Sequence, residues 1–245
     1  MKILTDIYLV GSGQMGVSHR FDCNVYLIDG GDELALIDSG AGVGVRRLVS
    51  NIRKEGFAPE KIGKILLTHH HADHSGGCAT LLGFLANAKT YLHGNGIGFV
   101  EEGNEERMGL KVAKRSGIYS SSYTYRPFKV AHALEDRQTV SIGRYKVKAY
   151  HVPGHSPDAA CYLMKTERGA VLFSGDVVFF GGRIGLLNRS GSNLEEYRLS
   201  FPKIAALDFK SLLPGHGVFI LEGGKRHVTL ADEALKKLQP PPNFI

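Results

Sequence analysis

Residues 68–77 read THHHADHSGG. Four histidines and an aspartate stand between the apolar run KIGKILL, residues 61–67, and a pair of glycines. The run has the character of a β-strand entering a core, and the glycines mark a turn, so the cluster begins where a buried strand ends. A solvated loop has no need of such a set. Side chains leaving one turn in this way are able to converge on one point.

The same arrangement recurs further along the chain. His155 lies in HVPGHS, Asp176 in LFSGDV and His216 in LLPGHG, each next to glycine and each after an apolar segment. Glycine lets the backbone turn sharply and proline fixes the turn, a pattern suited to aiming ligands from loops on a rigid sheet. Imidazole and carboxylate together suit zinc, iron or manganese.

Between these motifs the chain reads as strands and helices in alternation. CNVYLIDGGDELALIDSG, residues 23–40, gives two strands around a turn at Asp29-Gly30-Gly31-Asp32. Residues 43–56 place Val45, Leu48, Val49 and Ile52 on one helical face. A second helix is expected from about Cys78 to Asn87. Strands resume within residues 138–155, 159–176 and 209–217, with helices expected across Asn193–Leu207 and Val228–Leu238 and an extended tail at QPPPNFI. Residues 94–127 break the pattern with glycines, charges and a Ser/Tyr-rich run, and read as an inserted helical and loop segment near the site.

Composition limits the setting. The chain has 245 residues, 43% of them hydrophobic, enough for a substantial core, and the expectation is one domain over residues 1–245 with the insertion at 94–127. No stretch approaches the ~18–20 apolar residues that span a bilayer, so a soluble, cytoplasmic protein without membrane contact is expected. Three scattered cysteines, Cys23, Cys78 and Cys161, read as buried reduced thiols. The net charge of +6 mildly favours anionic partners, but the basic residues are dispersed, so nucleic acid is not the expected ligand.

The motif His-x-His-x-Asp-His at positions 69, 71, 73 and 74, followed in order by His155, Asp176 and His216, resembles the metallo-β-lactamase-fold superfamily in its binuclear hydrolase branch. The resemblance implies an α/β (α+β) fold, a four-layer αβ/βα sandwich of two mixed β-sheets flanked by helices, with the metal site at one edge. It implies that His69, His71 and His155 bind one ion, that Asp73, His74 and His216 bind a second, and that Asp176 bridges them. Two Zn2+ ions are the implied cofactor, with iron or manganese as alternatives. Water shared by two such ions ionises near neutral pH and becomes the nucleophile, with Asp73 in the catalytic role of orienting it or accepting a proton. Asp38, in ALIDSG, matches a position that supports a metal-bound histidine from behind.

The implied reaction is hydrolysis of a small-molecule ester, thioester or lactone, and a homodimer is compatible with this reading. Asp176 and His74 set the chain apart from the antibiotic-hydrolysing members, which lack the bridging aspartate. Lactonases of the quorum-signal type place a tyrosine three residues after it, where Phe179 stands, so Tyr197 or a tyrosine of the 119–125 segment is the expected substitute. The thioesterase glyoxalase II shares all seven ligands, and Arg183 in GDVVFFGGRIG becomes a candidate partner for a substrate carboxylate. The closing motif of that family is Gly-His-Glu-Tyr, whereas this chain has GHGVFI, so glutathione is not the expected thiol.

Three other readings remain. A mononuclear iron persulfide dioxygenase would use His69, His155 and Asp176. A phosphodiesterase or ribonuclease of the same fold would add a basic channel, and a binding domain without turnover would tend to lose ligands. The complete second set favours hydrolysis, because Asp73, His74 and His216 would otherwise be costly polar groups without a role. His70 alternates out of the ligand register, His151 is a candidate for the mouth of the site, and His19, His93, His132 and His227 read as ordinary surface or core histidines.

Overall fold

Alternate residues of a strand face opposite ways, and most strands of this chain are apolar on both sides, which demands cover on both. The computed structural model describes residues 1–85 and 87–244. Its first half contains β1 (Lys2–Leu4), β2 (Ile7–Gly11), β3 (Val25–Asp29), β4 (Leu34–Ile37), α1 (Val45–Lys54), β5 (Ile62–Leu66), α2 (Ala72–Ser75), α3 (Cys78–Leu81), β6 (Lys89–His93), α4 (Ile97–Glu102), α5 (Leu110–Arg115) and β7 (His132–Leu134). The second half contains β8 (Thr139–Ile142), β9 (Tyr145–His151), β10 (Ala160–Thr166), β11 (Gly169–Gly175), α6 (Leu194–Ser200), α7 (Pro202–Ala205), β12 (Ser211–Pro214) and α8 (Gly224–Lys236).

Strands β1 to β7 form one sheet in chain order, antiparallel from β1 to β4 and parallel from β4 to β7. The other sheet runs β12, β11, β10, β9, β8, with only the β11–β12 pair parallel. Tyr26, Ile28, Ala35, Ile37 and Leu66 meet Tyr162, Met164, Phe173 and Leu213 in a core between the sheets. The intervening residues Val25, Leu27, Leu34, Leu36 and Ile65 face outward onto Leu48, Val49 and Ile52 of α1. On the far side, Cys161, Leu163, Leu172 and Leu212 pack against Tyr197, Ile204, Val228 and Leu235 of α6 to α8. This is the four-layer αβ/βα sandwich of two mixed sheets that the motif resemblance implies.

The hairpin at 29–32 and the apolar face of α1 stand where the sequence puts them. Other elements differ. The helix expected over Cys78–Asn87 ends at Leu81 in turns through Gly83, and Ala86 lies outside the described residues. The helix expected over Asn193–Leu207 is two: Asn193 caps α6 by accepting from the amides of Glu195 and Glu196, and Pro202, which has no N–H to donate, starts α7. Helix α8 starts at Gly224, ahead of the expected Val228. Strands β1, β2, β6 and β7 carry too little alternation to be read from sequence. The tail is extended as expected, with Phe244 donating its amide to the carbonyl of Ile184; Ile245 lies outside the described residues. No helix among the described residues is long and apolar enough to cross a membrane.

The sheets are tied together at one edge by hydrogen bonds. The Tyr162 hydroxyl donates to the Leu67 carbonyl at 2.6 Å and the Ala160 amide to the Thr68 carbonyl at 2.8 Å. The Tyr26 hydroxyl donates to the Pro214 carbonyl at 2.7 Å, and the Asn24 amide side chain donates to Pro214 and Gly217. The ends of β5 and β12 are thereby fixed relative to each other.

Close approach also governs the opening stretch. A Cβ on Gly77 would fall 2.0 Å from the Ser39 carbonyl oxygen, a backbone atom that cannot rotate away. Gly77→Ala is therefore expected to lower stability by about 1–3 kcal/mol through overpacking. An unchanged urea midpoint would show that the turn yields at no cost.

Candidate metal centre

All the motif residues arrive at the edge where strands end. His69 follows β5, His71 precedes α2, Asp73 and His74 lie on α2, His155 is in the loop after β9, Asp176 follows β11 and His216 follows β12. Short loops on a two-sheet frame thus deliver seven side chains to one place.

They form two groups. In the first, Nε2 of His69, Nδ1 of His71 and Nε2 of His155 lie 2.9 to 3.1 Å from one another. In the second, Nε2 of His216 lies 3.0 Å from Oδ2 of Asp73 and 3.3 Å from Nε2 of His74. Asp176 touches both groups: one oxygen is 3.4 Å from His74 and the other is 3.6 Å from His155 and 3.5 Å from His216.

The partners behind the rings decide which nitrogens face inward. His155 donates through Nδ1 to the Gly185 carbonyl at 2.5 Å, and His74 donates through Nδ1 to Asp38 at 2.8 Å. His69 donates through Nδ1 to the Thr68 hydroxyl, which itself donates to Asp38. In their neutral forms these three rings therefore turn a bare lone pair inward. Asp38 also accepts the Thr68 amide at 2.7 Å, and holds this position at φ +62°.

Bare lone pairs facing one another repel, and a proton on one nitrogen satisfies only one neighbour. Three imidazole nitrogens about 3 Å apart match one face of a tetrahedral cation with Zn–N bonds of about 2.0–2.1 Å. The buried Oδ1 of Asp176 has no hydrogen-bond partner among the described residues. The donor set thus fits cations at both groups.

Electrostatics separates the two groups. Burial, reinforced by His74 and neighbouring histidines, holds His69 well below the usual histidine range; burial and then Arg189 do the same for His71. Burial lowers His155 as well. For His74 and His216 burial acts in the same direction but is outweighed: His74 is held well above its usual value by Cys23, Asp176, Asp73 and Asp38, and His216 is raised by Asp176 and Asp73. Against their own burial, Asp73 is lowered by His74 and His216, and Asp176 by His216 and His74. Burial thus favours the neutral, ligating form of the first group, whereas the carboxylates of the second favour protonated imidazole.

A cavity of about 490 Å³ opens beside both groups, lined by His71, His155, Asp176, Asp73 and His216 and walled by Met108, Leu110, Val112, Ile118, Leu187 and Phe244. Much of that wall comes from residues 108–119. Phe179, Arg183 and Tyr197, the expected substrate residues, lie outside the lining. Phe179 is buried and stacks on Phe244 with ring centroids 4.1 Å apart, Arg183 is exposed, and Tyr197 is buried under the site with its hydroxyl donating to the Asp176 carbonyl at 3.3 Å. Tyr119, Arg189 and Phe244 occupy the wall instead. Tyr119 comes from the expected 119–125 segment, and burial together with Asp73 holds its phenol protonated. Nothing local in the sequence marks Arg189 or Phe244, since their place depends on how distant loops fold back.

The other histidines separate cleanly from the cluster. His70 turns away to pair with Asp158 at 2.7 Å and stacks on Phe99. His151 stacks on His93 rather than lining the cavity, and burial followed by His151 pushes His93 down to about 4. Cys23, Cys78 and Cys161 are free and buried, as expected.

A histidine-rich cation site on one edge of an αβ/βα sandwich defines a class of metalloprotein. The chain belongs to the metallo-beta-lactamase superfamily, whose family model matches residues 20–216. It is 31% identical to the atrochrysone carboxyl ACP thioesterase of Aspergillus fumigatus, over 85% of this chain and 55% of that protein. It is 28% identical to the acyl-coenzyme A thioesterase MBLAC2 of Gallus gallus, over 93% of this chain and 85% of that protein. The chain spans about half the length of several curated relatives it matches, the probable hydroxyacylglutathione hydrolase glo2 of Schizosaccharomyces pombe among them, at 27% identity over 62% of this chain and 47% of that protein. Among solved structures, a metallo-beta-lactamase from Cronobacter sakazakii superposes with a TM-score of 0.75 at 21% identity, covering 97% of this chain and 95% of that one. At that identity the likeness speaks for the fold.

The charge separation has a measurable consequence. A cation entering the second group competes with protons at His74 and His216, whose pKa values Asp176 and Asp73 raise, whereas the lowered values of the first group leave less competition. Lowering the pH from about 8 to about 6 is expected to weaken zinc binding at the second group by roughly tenfold per unit per proton displaced, with the first group less affected. Competition titrations with a chromogenic chelator measure this, and equal pH dependence for both equivalents of zinc would contradict the assignment.

Proposed function

We propose that this protein is a binuclear metal-dependent hydrolase of small-molecule thioesters, esters or lactones, with thioesters first. The observation that carries the reading is Asp176, whose two oxygens reach toward both groups of ligand atoms at 3.4 to 3.6 Å. In this reading His69, His71 and His155 hold one Zn2+, Asp73, His74 and His216 hold another, and Asp176 is shared. Bound there, two divalent ions supply a hydroxide nucleophile at neutral pH and Lewis acidity for a carbonyl oxygen.

The chain's own residues supply the rest. Asp73, with its pKa lowered, is ionised and is the one carboxylate of the second group with a quarter of its side chain exposed, so it is placed to orient the attacking oxygen or to take its proton. Tyr119 lines the cavity as a protonated phenol and supplies an O–H donor beside Asp73. Asp38 steadies both groups by accepting from His74 directly and from His69 through Thr68. The insertion at 94–127 closes the cavity with the apolar side of residues 108–119, suited to an acyl body. The thioesterase names of the relatives at 31% and 28% identity support thioester cleavage over the iron-dioxygenase and nuclease readings.

Asp73→Ala is expected to keep the fold and lose at least about 100-fold in turnover of a short-chain acyl thioester. Circular dichroism, metal content and thiol release are measured together; a fully metallated variant with normal turnover would remove Asp73 from the mechanism. Asp38→Asn is expected to weaken zinc binding by about 10- to 100-fold, and unchanged affinity would reduce Asp38 to a turn residue. Elemental analysis of protein purified without added metal is expected to give two zinc ions per chain, whereas one iron without thioesterase activity would overturn the proposal.

A further inference from the structure

The wall of the large cavity carries one charge that the metal ligands leave unused. Arg189, in the segment between β11 and α6, is half-buried and lines the cavity along with His71, His155 and Asp176. Among the described residues its guanidinium has neither an ion-pair nor a hydrogen-bond partner. Two carboxylates influence it from nearby, and neither bonds it: Asp73 faces His216 and His74, and Asp158 holds His70 and Ser156 through Oδ1 while its Oδ2 has no hydrogen-bond partner among the described residues.

The backbone makes room for this head group. Gly109, which precedes α5, has φ +70°, and a Cβ there would fall 2.1 Å from guanidinium Nη1. The cavity wall joins the apolar Met108, Leu110, Ile118 and Phe244 to the polar Gln14, Ser116, Tyr119 and Asn188, and none of these side chains bonds the guanidinium among the described residues. Its five N–H donors are spent on no protein group and remain open to an incoming oxyanion.

We propose that Arg189 sets specificity by binding a carboxylate carried on the acyl part of the substrate. The acyl part belongs in this cavity because the wall is apolar. A smaller opening that shares Asp73, Tyr119 and His216 with this cavity and is lined also by Arg20 and Asp22 suits the departing thiol or alcohol. The guanidinium fork matches the two oxygens of a carboxylate, a geometry that lysine cannot reproduce. The assignment rests on the hydrolase reading for its reaction, but its binding step is measurable without turnover.

The test uses two thioether analogues of an acyl thioester, with a CH2 in place of the carbonyl, one ending in a carboxylate and one in its methyl ester. Calorimetry on the zinc-loaded protein is expected to show about 10- to 100-fold tighter binding of the carboxylate. Arg189→Met is expected to erase that difference and Arg189→Lys to keep part of it, with unfolding midpoints reporting whether each variant is folded. Equal binding of both analogues by the unsubstituted protein would overturn the proposal. So would a preference that survives in Arg189→Met, because the carboxylate would then be held by the ions. Hydrolysis of the matched thioesters is followed separately: failure to cleave either would sink the hydrolase reading, and the analogue comparison would still decide Arg189.

Discussion

Two sheets that are apolar on both faces leave no place for polar chemistry except the edge where their loops depart. At that edge the sheets are joined by bonds from Tyr162 and Ala160 to the carbonyls of Leu67 and Thr68, and from Tyr26 and Asn24 to the carbonyl of Pro214. These are the residues just ahead of His69 and His216. The inter-sheet contact therefore sets the distance from His216 to Asp73 and His74, which lie 143 and 142 positions away in the chain. The core between the sheets, built on Tyr26, Phe173 and Tyr162, keeps that distance from relaxing.

The same frame gives the two ligand groups different characters. The first is made of imidazoles alone, whose neutral form burial favours; the second mixes imidazole with carboxylate, which favours the protonated ring. Asp38 stands behind both, so a single buried carboxylate orients a ring in each. The cavity wall comes from residues 108–119, Arg189 and Phe244, segments with no part in the sheet pairing.

Much of this was legible before any coordinates. Ligand residues announce themselves because a metal-binding turn needs particular side chains at fixed short spacing, beside glycine, after an apolar run. The hairpin at residues 29–32 and the buried face of α1 are equally local. The lining of the cavity was not legible. Phe179 and Arg183 stand four positions apart around a turn with Gly181 and Gly182 at positive φ, and that turn sends the phenyl ring into the core and the guanidinium out to solvent. Tyr197 sits on the inner side of α6, where its ring fills space beneath Asp176 instead of reaching the cavity.

What the sequence determined alone is the chemistry of the site: residue types, their order and their local turns, all properties of short stretches of chain. The helix boundaries at Leu81 and Pro202, the pairing of β6 and β7 into the first sheet, and the identity of the cavity wall were decided only by the tertiary structure. Their physical reason is shared. Each depends on what packs against a residue from far along the chain, and Arg189 meeting Gly109, or Phe244 meeting Phe179, is a contact that no local pattern encodes.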